Sequence, residues 1–178
     1  MHRALSNRGL ALLQNTYQRL IYTSLVLSSC IGCDQVTKRI AEKTLAHEPV
    51  HSFLFDTFRL QYIQNQGAFL GFGSDFSSEA KLWLFLILPF VFLFCAAIFV
   101  SFSRKIVASQ AIMISLIVGG GISNLIDRLL QGSVTDFLNI GLGSLRTGIF
   151  NIADVAIMAG AIGLIILELL DRKKPVES

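Results

Sequence analysis

Charged residues are scarce in this sequence, and their scarcity indicates the class of protein. They make up 15% of the 178 residues, whereas 53% are hydrophobic; a soluble domain contains about 25% charged residues. The length suggests one domain, and several bilayer crossings of about 20 residues each would occupy half of it. The composition therefore predicts a single integral membrane domain, with its chemistry in or beside the bilayer.

Histidine is also rare, and the catalytic motifs that depend on it are missing. The three histidines are His2, His47 and His51, with no His-Glu-x-x-His pair and no Gly-x-Ser-x-Gly elbow. This excludes metalloprotease and serine-protease chemistry, so we expect no metal and no cofactor. A Ser/Lys dyad is disfavoured because few lysines lie near the outer span ends. Scattered basic residues exclude a nucleic-acid partner, and three cysteines in apolar stretches predict buried thiols rather than disulfides.

Long apolar runs dominate what remains. Three of them can cross about 30 Å of hydrocarbon as helices, and a weaker fourth begins near Tyr17, a residue suited to an interface. The predicted crossings are about 17–34, 82–102, 106–127 and 149–170. Basic residues before the first, between the second and third, and after the fourth place both termini in the cytoplasm by the positive-inside rule.

The segments between the first and second spans and between the third and fourth spans then lie on the outer side. The spacing of apolar residues predicts that a helix continues the first span from Asp34 and ends at Pro49. Apolar and polar residues alternate over 57–62, which is typical of a half-buried strand, and Gln64–Gly67 has the composition of a turn. We therefore predict an all-α membrane fold, a four-transmembrane-helix bundle with a small extracytoplasmic β element at about 50–75.

Aspartates are the catalytic groups that the sequence does offer. Four of them lie at the outer ends of the predicted spans: Asp34, Asp127, Asp136 and Asp154. Burying an ionised carboxylate costs about 2.5–3.5 kcal/mol at mid-bilayer and less near the interface. Asp136 and Asp154 are too far apart for one helix face and can meet only through the fold. Two carboxyls in contact share one proton, which is the arrangement of aspartic proteases.

Five short motifs extend this hypothesis along nearly the whole chain. In order they are Asp34–Lys38, Asn65–Phe69, Gly119–Arg128, Gly132–Phe137 and Phe150–Asp154. Together they resemble lipoprotein signal peptidase, or signal peptidase II, a family of bacterial inner-membrane aspartic proteases. The chain departs from the family pattern at Ser123, where glycine is usual, and its first twenty residues match nothing.

The resemblance implies a mechanism and a substrate. It makes Asp136 and Asp154 the catalytic pair, near the outer face of the cytoplasmic membrane. The positions that it assigns to substrate binding or site support are Asp34, Lys38, Asn65, Gly67, Asn124, Arg128 and Asn151. The implied partners are membrane lipids and prolipoproteins whose cysteine carries a diacylglyceryl group, with cleavage just before that cysteine. The resemblance also implies inhibition by globomycin and no need for a metal.

Several of these residues have a purely structural alternative. Asp34 and Lys38 are four apart and would form an ordinary helical ion pair, and Asn65–Gly67 would suit a plain turn. Asp127 and Arg128 would form an interfacial ion pair, with Asp127 holding Arg128 in place. Gly119–Gly121 are better explained as a helix-packing surface than as a ligand loop.

Two other classes of function stay open at this level. Leu27–Cys30 resembles a lipobox, which would make the first span a cleavable signal and the chain itself a lipoprotein. A non-enzymatic proton-coupled carrier would also use intramembrane aspartates. However, the acids cluster at the outer ends of the spans, and a carrier needs them across the membrane.

Overall fold

The computed structural model describes residues 2–67, 72–103 and 106–172, with side chains from residue 17 onward. The helices are α1 (His2–Leu45), α2 (Ser78–Lys81), α3 (Leu88–Phe102), α4 (Ala108–Gln131) and α5 (Ile152–Asp171). The strands are β1 (His51–Phe53), β2 (Phe58–Asn65), β3 (Val134–Leu142) and β4 (Leu145–Arg146). A π-helical stretch, Leu82–Ile87, joins α2 to α3.

Three helical stretches of the described chain are long and apolar enough to cross a membrane: Ser78–Phe102, Ala108–Gln131 and Ile152–Asp171. The mostly helical fold with a small antiparallel sheet agrees with the predicted class. The 44-residue α1, about 66 Å long at 1.5 Å per residue, is not among the three. The fourth crossing, within α1, therefore stays a prediction.

Helix α4 lies at the centre of the bundle, and three successive glycines allow its neighbours to approach. Successive helical residues point in different directions, and Gly119–Gly121 accordingly face three helices. A Cβ atom added at the first would lie 2.9 Å from the Cys30 Cβ in α1. At the second it would overlap the Ala153 carbonyl oxygen in α5, and at the third it would lie 2.6 Å from Leu93 in α3. These contacts confirm the predicted packing role of the glycines.

The three cysteines are free thiols, but the expectation that they are buried is wrong for two of them. Cys33 and Cys95 are exposed, and Cys30 is half-buried. The helices of a membrane protein present apolar faces outward as well as inward, so an apolar neighbourhood in the sequence does not imply burial inside the protein.

The four strands form one antiparallel sheet in the order β1-β2-β3-β4. The predicted β element supplies only β1 and β2; β3 and β4 come from the segment between α4 and α5, to which the sequence assigned no strand. The amides of Phe137 and Leu138 both donate to the carbonyl of Phe150, at 3.0 and 2.8 Å. Two residues opposite one form a bulge, and a bulge changes the direction in which neighbouring side chains point.

An apolar cluster attaches the sheet to the helices. Ala41 and Leu45, at the end of α1, pack with Phe137 of β3, and Ile152 at the start of α5 packs against the same cluster. The sheet therefore lies over the end of α1 and the N-terminus of α5. Asp136 precedes Phe137 in β3, so this contact also brings Asp136 to the start of α5.

The opposite end of the bundle has a basic anchor. The Arg19 guanidinium in α1 donates hydrogen bonds to the carbonyls of Ser103 and Ile106. These two residues flank the connection between α3 and α4. Arg19 and this connection therefore lie together, at the end of α4 remote from the sheet.

Candidate active site

Two aspartates lie where the sheet meets the bundle. Asp136 is buried in β3, and Asp154 is half-buried in the first turn of α5. The carboxylate of Asp136 accepts hydrogen bonds from Asn65 Nδ2 at 2.9 Å and from Asn151 Nδ2 at 2.6 Å. The carboxylate of Asp154 accepts from Asn124 Nδ2 at 2.9 Å. Side-chain amides thus fix the orientation of both acids.

Asn151 connects the two acids directly. It is the N-cap of α5, and its Oδ1 accepts from the Asp154 amide at 2.9 Å while its own amide donates to Asp154 Oδ2 at 3.1 Å. This reciprocal pair is a capping box, which satisfies free amides at a helix start. Because Asn151 Nδ2 also binds Asp136, one residue holds both carboxylates in position.

A small cavity of about 50 Å³ lies between the acids. Asp136, Asp154, Asn65, Asn124 and Arg128 contribute to its wall. One water needs about 10–15 Å³ measured in the same way. The cavity therefore has room for a water molecule with polar partners on several sides.

The end of strand β2, which pairs with β3 beside Asp136, is held by a second set of contacts. Asn65 Oδ1 accepts a hydrogen bond from the Gly67 amide at 3.0 Å, and Arg128 Nη2 donates to the Gly67 carbonyl at 2.9 Å. The Arg128 guanidinium also lies 5.8 Å from the centre of the Phe85 ring, within cation–π range. The predicted turn is thus tied to α4. Ala68 and Phe69 of the same motif lie outside the described residues.

Comparison with known proteins identifies the family. The family described as Signal peptidase (SPase) II matches residues 26–170. The chain belongs to the signal peptidase II family. A lipoprotein signal peptidase from Xylella fastidiosa (strain M12) is 34% identical over 161 residues, which are 89% of this chain and 94% of that protein. One from Aquifex aeolicus (strain VF5) is 32% identical over 158 residues, 89% and 90% of the two chains.

Solved structures agree with this assignment. One bacterial membrane enzyme has a TM-score of 0.76 and 28% sequence identity, and the match covers 88% of this chain and 93% of the other. A second has a TM-score of 0.70 and 26% identity, over 83% and 92% of the two chains. The molecule is therefore a membrane peptidase of the signal peptidase II family.

A buried charge cluster centred on Lys38 lies next to the two acids. Its ammonium lies 2.6 Å from Asp34 Oδ2 and 2.9 Å from Asp127 Oδ2, and it donates to Asn124 Oδ1 at 2.8 Å. The expected Asp34–Lys38 ion pair is therefore present, at 0% and 4% side-chain exposure. Asn124 in turn binds Asp154, so the cluster is linked to the two acids by hydrogen bonds.

The structural alternative of an interfacial ion pair between Asp127 and Arg128 is wrong, although the role of Asp127 is architectural, as expected. Asp127 binds Lys38 of α1, Gln35 Nε2 at 2.7 Å and the Thr135 amide at 3.2 Å. Adjacent residues on a helix point about 100° apart and do not face each other. Asp127 therefore connects α4 to α1 and to β3, while Arg128 faces the cavity.

Asp34 also contributes to the start of α5, a role that the sequence did not reveal. Its Oδ1 accepts from the Ala153 amide at 2.8 Å, and its Oδ2 accepts from the Ser123 hydroxyl at 2.7 Å. Ser123, where this chain departs from the family pattern, is thus a buried hydrogen-bond donor, not merely a small residue. A hydroxyl within a run of glycines in an apolar helix is the signal that would have identified it.

The surroundings of Asp136 make its carboxyl easier to protonate than that of a free aspartate. Burial raises the pKa of its carboxyl from 3.8 to about 6. The hydrogen bond from Asn65 opposes the rise in pKa, and the negative charge of Asp154 adds to it. An acid with a pKa near neutrality can exchange a proton during a reaction. Among the described residues no group of three or more His, Cys, Asp or Glu side chains is arranged to hold a metal ion.

Proposed function

We propose that this protein is an intramembrane aspartic endopeptidase that removes signal peptides from diacylglyceryl-modified prolipoproteins, cleaving just before the lipidated cysteine. Membership of the signal peptidase II family supports the substrate class. The observation that carries the aspartic mechanism is that Asn151 donates hydrogen bonds to the carboxylates of both Asp136 and Asp154, and that these two acids line one small cavity.

The mechanism follows from a shared proton. Two carboxyls beside one cavity do not both ionise readily, so one accepts a proton while the other donates. The ionised carboxylate takes a proton from water, and the resulting oxygen attacks the scissile carbonyl carbon. The protonated carboxyl, for which the raised pKa favours Asp136, supplies a proton to the carbonyl oxygen. As the tetrahedral diol collapses, the carboxyl that took the proton from water donates it to the amide nitrogen and the C–N bond breaks, while a diol hydroxyl returns a proton to the other carboxylate.

The remaining site residues position these groups. Asn65, Asn124 and Asn151 orient the carboxylates, and Lys38 with Asp34 holds Asn124 and the start of α5. Arg128 lines the cavity and fixes the Gly67 carbonyl. A cationic guanidinium at this point would stabilise negative charge that develops on the substrate carbonyl.

The proposed orientation places the sheet and both acids at the outer face of the bacterial cytoplasmic membrane. Arg19 lies beside the connection between α3 and α4, at the end remote from the sheet. The positive-inside rule assigns that end to the cytoplasm. With a fourth crossing within α1, both termini are cytoplasmic, and membrane lipids surround the apolar helices.

The comparisons give no support to a proton-coupled carrier. The acids Asp34, Asp127, Asp136 and Asp154 meet at one end of the described bundle, whereas a carrier needs a path across it. Cleavage at Cys30 would separate the first part of α1 from α4, which it packs against. The mass of the mature N-terminus tests that alternative.

The direct test of the proposed function uses purified protein and two synthetic precursors that differ only in the diacylglyceryl group. We expect cleavage of the lipidated precursor just before the cysteine, no cleavage of the other, and inhibition by globomycin. Equal cleavage of both precursors would contradict the proposed substrate class. Cleavage at a different bond would contradict the proposed specificity.

A further inference from the structure

A second and larger cavity continues from the catalytic site across the sheet. Its volume is about 630 Å³, and Asp136, Asn65 and Ile149 line both this cavity and the small one. Asn139 and Arg146 form part of its far wall. The bulge at 137–138 allows Asp136 and Asn139, three residues apart in one strand, to line the same space. The active site therefore opens into a groove along the sheet.

The far wall of the groove carries more positive than negative charge. Arg59 Nη2 lies 2.5 Å from Asp56 Oδ2, and Arg146 Nη1 lies 3.5 Å from the same oxygen. Two guanidiniums thus share one carboxylate, which leaves one positive charge uncompensated. Asp136, the acid that lines the groove, lies at the other end of it.

Arg146 also has unused hydrogen-bonding capacity. Its Nε donates to Asn139 Oδ1 at 2.5 Å, and its Nη1 donates to the Asp56 carbonyl at 2.7 Å. Its Nη2 is buried and has no hydrogen-bond partner in the part of the chain that the structure describes. A buried guanidinium donor without an acceptor is unfavourable, and a carboxylate is its best complement.

The turn that contains Asp56 is strained, and Asp56 holds the guanidiniums of Arg59 and Arg146 in position on the groove wall. Leu54, Phe55 and Asp56 have φ values of 53°, 54° and 68°, a region that non-glycine residues rarely adopt. Strain of this kind persists where the surroundings enforce it, often near functional sites. Here the enforcing contacts are the hydrogen bonds from Arg59 and Arg146 to Asp56.

The direction of the groove identifies the part of the substrate that it would take. On the proposed function, the signal peptide is apolar and lies with the membrane helices, so the groove on the sheet, whose lining includes charged and amide side chains, suits the chain after the cysteine. Asn139 is about 10 Å along β3 from Asp136 at about 3.3 Å per residue. An extended substrate covers that distance in about three residues.

We propose that this groove binds the first residues of the mature lipoprotein, and that Arg146 selects for an acidic side chain about three or four residues after the scissile bond, counting the cysteine as the first. The inference rests on the proposed function and adds a specificity-determining residue to it. The ligand is a carboxylate of the substrate, held by the Arg146 guanidinium with Arg59 beside it.

The test compares two lipidated precursors that are identical except for Asp or Asn at one position, scanned from the second to the sixth residue after the bond. With the wild type we expect kcat/KM to be about tenfold higher for Asp at the third or fourth position, mainly through KM. Arg146→Gln should reduce this ratio to less than about twofold. Arg146→Lys should retain part of it, and Arg172→Gln, an exposed arginine at the end of α5, should retain all of it.

The results distinguish a failure of the proposed Arg146 specificity from a failure of the proposed function. A wild-type ratio near one at every position would overturn the inference, even if Arg146→Gln failed to fold. A ratio that survives in Arg146→Gln would overturn it as well. An Arg146-dependent effect of phosphatidylglycerol on KM, without a preference between the precursors, would assign the site to a lipid headgroup instead. If the wild type cleaved neither precursor, the proposed function itself would fail.

Discussion

Replacing Lys38 by Met is the sharpest test of the buried charge cluster. Met keeps most of the side-chain length but removes the ammonium that lies 2.6 Å from Asp34 and 2.9 Å from Asp127. Both carboxylates keep their neutral donors, which are Ser123 and the Ala153 amide for Asp34, and Gln35 and the Thr135 amide for Asp127. They lose their shared counter-ion.

The size of the effect follows from burial. The two carboxylates are 0% and 3% exposed, and removing one partner of a buried ion pair costs about 3–5 kcal/mol. At about 2–4 °C per kcal/mol for a chain of this size, the melting temperature should fall by about 6–20 °C. Adding Asp127→Asn should restore part of the loss, because it removes one of the unpaired charges.

Thermal unfolding in detergent, followed by circular dichroism, measures this loss. The matched control is Lys43→Met, an exposed lysine on the same helix, which should change the free energy of unfolding by no more than about 0.5 kcal/mol. A Lys38→Met protein that melts within about 2 °C of the wild type would show that the Lys38 ammonium does not stabilise the two carboxylates. The same conclusion would follow if Asp127→Asn lowered its melting temperature further.

Three further predictions concern titration, topology and metal dependence. Because the pKa of Asp136 in the folded protein is raised to about 6, the wild type should lose up to about 3 kcal/mol of stability between about pH 4 and pH 7. The melting temperature of Asp136→Asn should therefore rise relative to that of the wild type over this interval. A difference in melting temperature that does not change with pH would contradict this prediction. In a background without native cysteines, a cysteine near Ser74 should react with an impermeant thiol reagent applied from outside and one near Ser178 should not; the reverse pattern would invert the topology. Activity should survive strong chelators, and loss with recovery on adding zinc would exclude the dyad mechanism.

The residues of the site could be predicted from sequence better than the sheet that holds them. Apolar runs predict helices directly, and the five motifs contain Asp136, Asp154, Asn65, Asn124 and Asn151, whose contacts the structure defines. Strand β3 was missed because Val134, Thr135, Asp136 and Phe137 are all buried. A strand covered on both faces has no polar–apolar alternation, and its polar residues resemble a loop.

The partners of individual charges were harder to predict than their positions. Asp127 and Arg128 are adjacent in sequence, but Asp127 binds Lys38 across the helix interface. Arg146 lies outside every motif, and its hydrogen bonds to Asp56 and Asn139 depend on strand pairing. Contacts of this kind arise from tertiary packing, which a single sequence encodes only indirectly.

Single-turnover cleavage of a lipidated precursor tests whether Asp136 and Asp154 act as one catalytic unit. Asp136→Asn and Asp154→Asn should each be inactive, and the double variant should be no worse, because residues that act as a unit lose their effect together. Asp127→Asn should keep some activity, or lose it together with its abundance. Each variant must match wild-type abundance and elution in detergent. Robust turnover by Asp136→Asn or Asp154→Asn would show that the two acids are not the catalytic pair, and a well-folded, inactive Asp127→Asn beside an active Asp136→Asn would assign the pair to Asp127 and Asp154.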